Sequence, residues 1–345
     1  MAKYVYPAIA LTGGGTGALD AIDGAGLADK DMAYVTVGGY TYTYILDDDS
    51  AATESSPRII APDANGGNKR WVLQPHQGVF ENAKGQMINA VYGIITPANI
   101  RLFLVFDQTG AVSTITERST IGGVTTHVTT LRDASLNAIN ASTCTPGVSG
   151  LAPYLTFDAT HLWNTPDAAD LTFGNGSADS AFSAIVLFNT SYTSTQYLLA
   201  KDDTTTGSTN REYNFYLTGE KLYFRCWDDS VSGAYIGRIY DTALTAYRGV
   251  WVTYGFSKGT GVTADAINLF FNGVAVDDTD SSNGSYVAME NKAALVGPYH
   301  LGTGGAVEYP AQGKMAVLCL VAEELTAVQM ARLDAVLRGY AGVVL

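Results

Sequence analysis

The amino-acid sequence predicts an all-β protein: a small N-terminal β module, then a β-sandwich carrying one C-terminal helix. Three observations predict it. The chain of 345 residues holds 21 Tyr and abundant Thr, side chains that favour the half-buried face of a pleated sheet. Short strands separated by Gly, Asn and Asp turn signals recur along most of its length. One segment, close to the C-terminus, combines helical apolar spacing with both helix-end signals.

The module covers residues 1–75. Tyr34-Val35-Thr36-Val37, a Gly38-Gly39 turn and the alternating Tyr40-Thr41-Tyr42-Thr43-Tyr44-Ile45-Leu46 read as a hairpin. A polar loop follows, and residues 58–67 lead through a further turn to the short strand Trp71-Val72-Leu73. Pro75, His76 and Gly78 then break the rhythm, so residues 76–99 read as a linker.

From residue 100 to 345, strands are expected at 101–106, 155–157, 182–188, 197–201, 213–217, 222–227, 250–256, 267–271, 274–276 and 314–321. Thr218-Gly219-Glu220-Lys221 and Asn272-Gly273 supply hairpin turns between neighbours. Many short strands without intervening helices make a sandwich. At its end Thr326 and Gln329 form a capping box, Met330, Leu333, Leu337 and Tyr340 make one apolar stripe, and Gly339 is read as the stop.

Composition limits the function. With 33 acidic against 20 basic side chains the net charge is −13, which opposes binding to a nucleic-acid backbone. No apolar run approaches the ~20 residues of a membrane-spanning helix, so no membrane insertion is expected. The N-terminus lacks the apolar stretch of a signal peptide. Cys144, Cys226 and Cys319 are widely spaced and read as buried thiols of a protein made in a reducing cytosol.

Two stretches carry a resemblance. Residues 11–24, Leu-Thr-Gly-Gly-Gly-Thr-Gly-Ala-Leu-Asp-Ala-Ile-Asp-Gly, with Ile60-Ala61-Pro62-Asp63-Ala64-Asn65 and Lys69-Arg70-Trp71, resemble the N-terminal module of bacteriophage tail fibres and other virion proteins. Residues 155–160 and 166–173, with Gly249-Val250-Trp251-Val252-Thr253-Tyr254 and Leu269-Phe270-Phe271-Asn272-Gly273-Val274, are similar to the concanavalin-A-like, or laminin-G-like, lectin and glucanase jelly roll. Together these imply a structural component of a bacteriophage particle: a tail fibre, spike, head fibre or decoration protein located in the virion. It would display a lectin-like domain for host attachment and contact other virion proteins. The alternative is a stand-alone carbohydrate-binding module or a polysaccharide depolymerase.

Gly13 to Ala18 satisfies a dinucleotide-type glycine spacing, but only Leu19 to Ile22 precede Asp23-Gly24, too few for a crossover helix. The chain lacks the H-E-x-x-H, C-x-x-C and G-x-S-x-G motifs and the alternating carboxylate strand of jelly-roll glucanases, so no catalytic residue is assigned and no enzyme activity is expected. For a host-surface glycan the candidates are Trp227, Asp228, Asp229 and Tyr235, with Trp163 and Asn164 in an expected loop. Asp278, Asp280 and Ser282 place oxygens at alternate positions, with Glu290 further on, and read either as a calcium loop or as a solvated acidic hairpin; no other cofactor is implied.

Assembly is assigned to Tyr40, Tyr42 and Tyr44. A 75-residue module has little core of its own, so this row and that of Val35 and Val37 are expected to be covered by further copies or by a particle protein. The resemblance implies a homotrimer.

Overall fold

The computed structural model describes residues 4–343 except 14, 38–39, 51, 55–58, 74–76, 107–113, 117–126, 140–143, 145, 159, 206–209, 232, 277–278 and 303–304. The chain divides into two compact units, Met1–Gly85 and Gln86–Leu345.

The first unit contains β1 (Val5–Ala8), β2 (Met32–Val37), β3 (Tyr40–Asp47), β4 (Ile59–Ile60) and β5 (Arg70–Leu73). They form one sheet in the order β1-β2-β3-β5-β4, with the expected hairpin pairing Ala33 to Tyr44 and Val35 to Tyr42. Leu19, Val35, Tyr44, Leu46, Ile60 and Trp71 are fully buried in its core. This corrects the assembly reading at Tyr44: its ring is covered by the unit's own Leu and Ile side chains and offers no surface to another copy. The side chains of Tyr40 and Tyr42 lie outside the described residues.

Residues 76–99 hold a helix, α1 (Gln77–Tyr92), where the sequence reads as a linker. Met87, Ile88 and Val91 are buried along one face. Gly78 and Gly85, both poor helix formers, mask this short apolar period in the sequence.

The second unit continues with β6 (Ile100–Val105), β7 (Thr114–Thr116), β8 (Val128–Arg132), β9 (Pro146–Ser149), β10 (Ala152–Phe157) and β11 (Leu162–Asn164). Then come β12 (Phe182–Asn189), β13 (Gln196–Asp203), β14 (Asn210–Thr218), β15 (Lys221–Asp228), β16 (Ala234–Tyr240) and β17 (Val252–Lys258). The remaining strands are β18 (Ile267–Phe271), β19 (Val274–Ala275), β20 (Thr279–Asp280), β21 (Val296–Gly297), β22 (His300–Leu301), β23 (Val307–Glu308) and β24 (Gly313–Val321), before α2 (Ala327–Tyr340).

Two large sheets face each other. One runs β19-β18-β17-β12-β24-β10-β9 and the other β20-β16-β15-β14-β13-β22-β23. Their inner faces interdigitate: Phe224 of β15 stacks on Phe256 of β17 with ring centroids 3.8 Å apart, and Phe215 of β14 meets the same ring at 5.1 Å. This is the expected β-sandwich, and burial of these large apolar side chains holds it together. β18 and β19 form the expected hairpin, in which Asn272 and Gly273 both have positive φ, 49° and 75°, as a two-residue turn of this hand requires.

α2 lies against the first sheet, where the Thr253 hydroxyl donates to buried Asp334 at 2.6 Å. The capping box of Thr326 and Gln329 is formed. The helix runs through Gly339, and Gly342, with φ +72°, makes the left-handed exit instead. Among the described residues no helix is long and apolar enough to cross a membrane. The three cysteines are buried.

Candidate functional site

The sheet containing β13 to β16 turns an aromatic face outward. Along β15 the inward residues Leu222, Phe224 and Cys226 are fully buried, whereas Tyr223, Arg225 and Trp227 between them are half-buried on the opposite face. Cross-strand pairing extends each of these into a row.

The first row runs Tyr309, Tyr197, Tyr216, Tyr223. Their rings are nearly parallel, with centroids 6.1, 5.2 and 5.0 Å apart. Because the rings cover one another, the row presents ring edges rather than open faces. Burial pushes the Tyr197 and Tyr216 hydroxyls far above the ordinary phenol range, so both stay protonated. A second row joins Arg211, Trp227 and Tyr235: the guanidinium lies 3.9 Å from the indole centroid, and the two rings are 4.7 Å apart.

Between them runs a polar line. Asn214 pairs across the strands with Arg225, and its Nδ2 donates to Asp202 Oδ2 at 2.8 Å. His300 Nδ1 lies 3.1 Å from Asp202 Oδ1, close enough for an ion pair but off the line of a hydrogen bond. Arg225 sits 4.4 Å from the Tyr235 centroid and donates to Ser281 Oγ at 3.0 Å. Gly237 supplies the clearance, since a Cβ there would stand 2.8 Å from Arg225 Cγ and from two backbone oxygens.

Among the described residues, five buried polar atoms on this face make no hydrogen bond within the protein: Asn214 Oδ1, Arg225 Nε, Trp227 Nε1, and Asp202 Oδ1 and His300 Nδ1, which face each other as the ion pair. Unmet hydrogen bonding of this kind is costly, so its concentration on one face marks a place built for something other than packing. Burial lowers the proton affinity of His300, but Asp202 and Glu308 outweigh that and hold its pKa above the ordinary value.

The structure brings Trp227 and Tyr235 together here, as cross-strand partners. The other glycan candidates are engaged in contacts within the protein. Asp228 is fully buried and accepts from Ser230 and from the Val287 amide, closing a loop. Asp229 is held by Arg211, whose Nε and Nη2 donate to one oxygen at 3.1 and 3.0 Å. Trp163 and Asn164 correct the expectation of an exposed loop: both are buried on β11, the indole 6.0 Å from Phe106 and the amide bonded to Arg132 and Tyr299. Three consecutive buried positions on a strand lack the alternation that would have signalled this.

Of the residues read either as a calcium loop or as a solvated acidic hairpin, three are described. Asp280 is exposed and paired with Arg238 at 2.6 Å, Glu290 is paired with Lys292, and the Ser282 hydroxyl accepts from the Gly237 amide. Protein cations already neutralise these carboxylates, and among the described residues no three His, Cys, Asp or Glu side chains gather as a metal group. Asp278 lies outside the described residues. Sequence reasoning missed Tyr197, Asn214, Tyr216, Tyr223, Arg225, His300 and Tyr309; the Tyr-x-Arg-x-Trp alternation of β15 was the available signal.

In the first unit, the stretches that carry the virion resemblance come together. The Gly24 amide donates to Ala64 O at 2.9 Å, Asp63 N to Asp20 O at 2.8 Å and Asn65 Nδ2 to Asp23 Oδ1 at 2.8 Å, while Lys69 Nζ reaches the Leu27 carbonyl at 2.9 Å.

No family model matches the chain, and no curated protein matches it. Among solved structures it is similar to domain 4 of AbnA, a GH43 extracellular arabinanase from Geobacillus stearothermophilus, solved in complex with arabinotriose: 14% identity and TM-score 0.45, over 69% of this chain and 98% of that one. A structure of botulinum neurotoxin type C, described as dependent on two ganglioside molecules for cell entry, is similar at 10% identity and TM-score 0.46, over 70% of this chain. The match spans about half of that toxin chain, 52%. The CBM40 of Ruminococcus gnavus IT-sialidase, bound to α2,3 sialyllactose, is similar at 16% identity and TM-score 0.35, over 46% of this chain and 84% of that one.

Proposed function

We propose that the second unit is a non-catalytic glycan-binding module whose ligand lies across the outer face of β13 to β16. The observation that carries this reading is the set of five polar atoms that make no hydrogen bond within the protein, set within an aromatic layer. Sugar hydroxyls both donate and accept, which suits a face with mixed donors and acceptors lying just beneath its aromatic layer. The tyrosine edges and the indole supply apolar contact for the sugar's C–H faces.

The test is binding of the full chain to an array of bacterial-surface polysaccharides, beside the Arg225→Ala and Tyr223→Ala variants. Binding that falls at least tenfold in both supports the reading, and no binding to any polysaccharide overturns it. Reducing-end release from a bound polysaccharide would overturn the non-catalytic part.

We read the first unit as the attachment module of a bacteriophage particle. What supports this is the mutual contact of residues 11–24, 60–65 and 69–71, the stretches on which the resemblance rests. Electron microscopy of particles labelled against this chain tests the virion location. Light scattering tests the trimer that the resemblance implies, and a monomer would overturn it.

A further inference from the structure

We propose that Lys201 and Asp167 condense into an intramolecular amide, a covalent staple between β13 and the loop after β11, with Glu212 as the proton relay. The Lys201 side chain is fully buried, and its Nζ lies 2.7 Å from Asp167 Oδ1, 2.7 Å from Glu212 Oε1 and 2.6 Å from Thr172 Oγ1. The Asp167 carboxyl carbon is one bond beyond its oxygen, so attack needs only a small pivot of the lysine.

Charge favours the reaction. One ammonium faces two carboxylates, and Glu212 is itself fully buried with Oε2 lacking any hydrogen-bond partner. Its other oxygen accepts from the Thr172 hydroxyl at 3.1 Å and the Lys292 amide at 2.8 Å, which aims it at the lysine. Such a cluster carries a large desolvation cost, and amide formation removes one positive and one negative charge from it. Burial also pushes the Glu212 carboxyl up to about 7, where it both takes and gives protons readily at neutral pH.

The step balances without an oxidant. The ammonium passes a proton to the Asp167 carboxylate, leaving a neutral amine and a neutral acid. The Nζ–Cγ bond forms as Glu212 takes a second proton from nitrogen and hands it to the departing hydroxyl. The Cγ–O bond breaks, and water leaves past Asp167, whose side chain is 37% exposed.

A second buried pair is an internal control. Lys258 Nζ lies 2.8 Å from Asp179 Oδ2 with both side chains fully buried, but a phenol, Tyr286, donates to that carboxylate at 2.6 Å where Glu212 would be needed. Without a second carboxylate to move the proton, this pair stays ionic.

Mass spectrometry of the purified, denatured full chain decides the matter. The expected result is a chain lighter than its sequence by one water, with a branched peptide joining residue 167 to residue 201; the branch separates it from an internal succinimide. A chain at full sequence mass, or a branch at Lys258, overturns the proposal. Lys201→Arg and Glu212→Gln should both return the full mass, and a Glu212→Gln chain that still loses water would overturn the relay. Because the native chain alone gives the first answer, the test survives a variant that fails to fold.

Discussion

Asp202 and Asn214 stand side by side on adjoining strands, joined by one 2.8 Å hydrogen bond; Asn214 keeps an oxygen without a hydrogen-bond partner, and the second oxygen of Asp202 faces His300 Nδ1 at 3.1 Å. The two groups, 4% and 2% exposed, define the floor of the candidate glycan face.

Asn214→Leu should therefore act on both stability and binding. Asp202 Oδ2 loses its donor, which costs about 1–3 kcal/mol. Glycan binding should fall at least tenfold. Denaturant unfolding and titration calorimetry measure the two effects, and unchanged binding in a folded variant would remove Asn214 from the site.

The two tryptophans first considered together should separate. Trp163→Ala empties a core position and should cost about 3–5 kcal/mol. Trp227→Ala loses chiefly the Arg211 and Tyr235 contacts, about 1 kcal/mol, yet it should weaken glycan binding where Trp163 does so only by unfolding. Thermal unfolding and a binding assay below the transition distinguish them.

His300 gives a pH dependence of known sign. Its folded pKa is raised above the unfolded value near 6.5 by Asp202 and Glu308. The folded state thus binds the extra proton, so this stabilisation is complete below about pH 6.5 and is lost as pH rises through the folded value. The melting temperature should fall across that window. In His300→Asn the same scan should be flatter, and an equally steep profile would rule out this histidine as the source.

Asp334 should matter more than the helix cap. Its carboxylate accepts from Thr253 and from Arg338, whose Nε and Nη2 donate at 2.7 and 2.6 Å. Asp334→Ala strands the buried Thr253 hydroxyl, costing about 1–3 kcal/mol. Thr326→Ala loses one cap, about 1 kcal/mol. Unfolding midpoints of the two variants should fall in that order.

The β-sandwich, its hairpins and α2 were legible because each rests on local signals. Alternation along β15, Asn272-Gly273 between β18 and β19, and Thr326 with Gln329 all act within a few residues. Trp227 and Tyr235 were legible as a pair for the same reason, since one hairpin brings them together. α1 was hidden because two glycines blur its period, and Tyr44 was misread because alternation says that two faces differ but not which is covered.

What the sequence determined by itself was the material of the face: a Tyr-rich chain whose strands alternate apolar and aromatic side chains. Only the tertiary structure decided which of them meet. Tyr309 and Tyr197 reach the hairpin pair Tyr216 and Tyr223 from separate parts of the chain, and Asp202, Asn214, Arg225 and His300 come from four strands. Strand order and register set these neighbours through hydrogen bonds between distant segments, a pairing that no local pattern encodes. The same holds for Lys201, Asp167 and Glu212, ordinary charged residues until the fold shuts them in together.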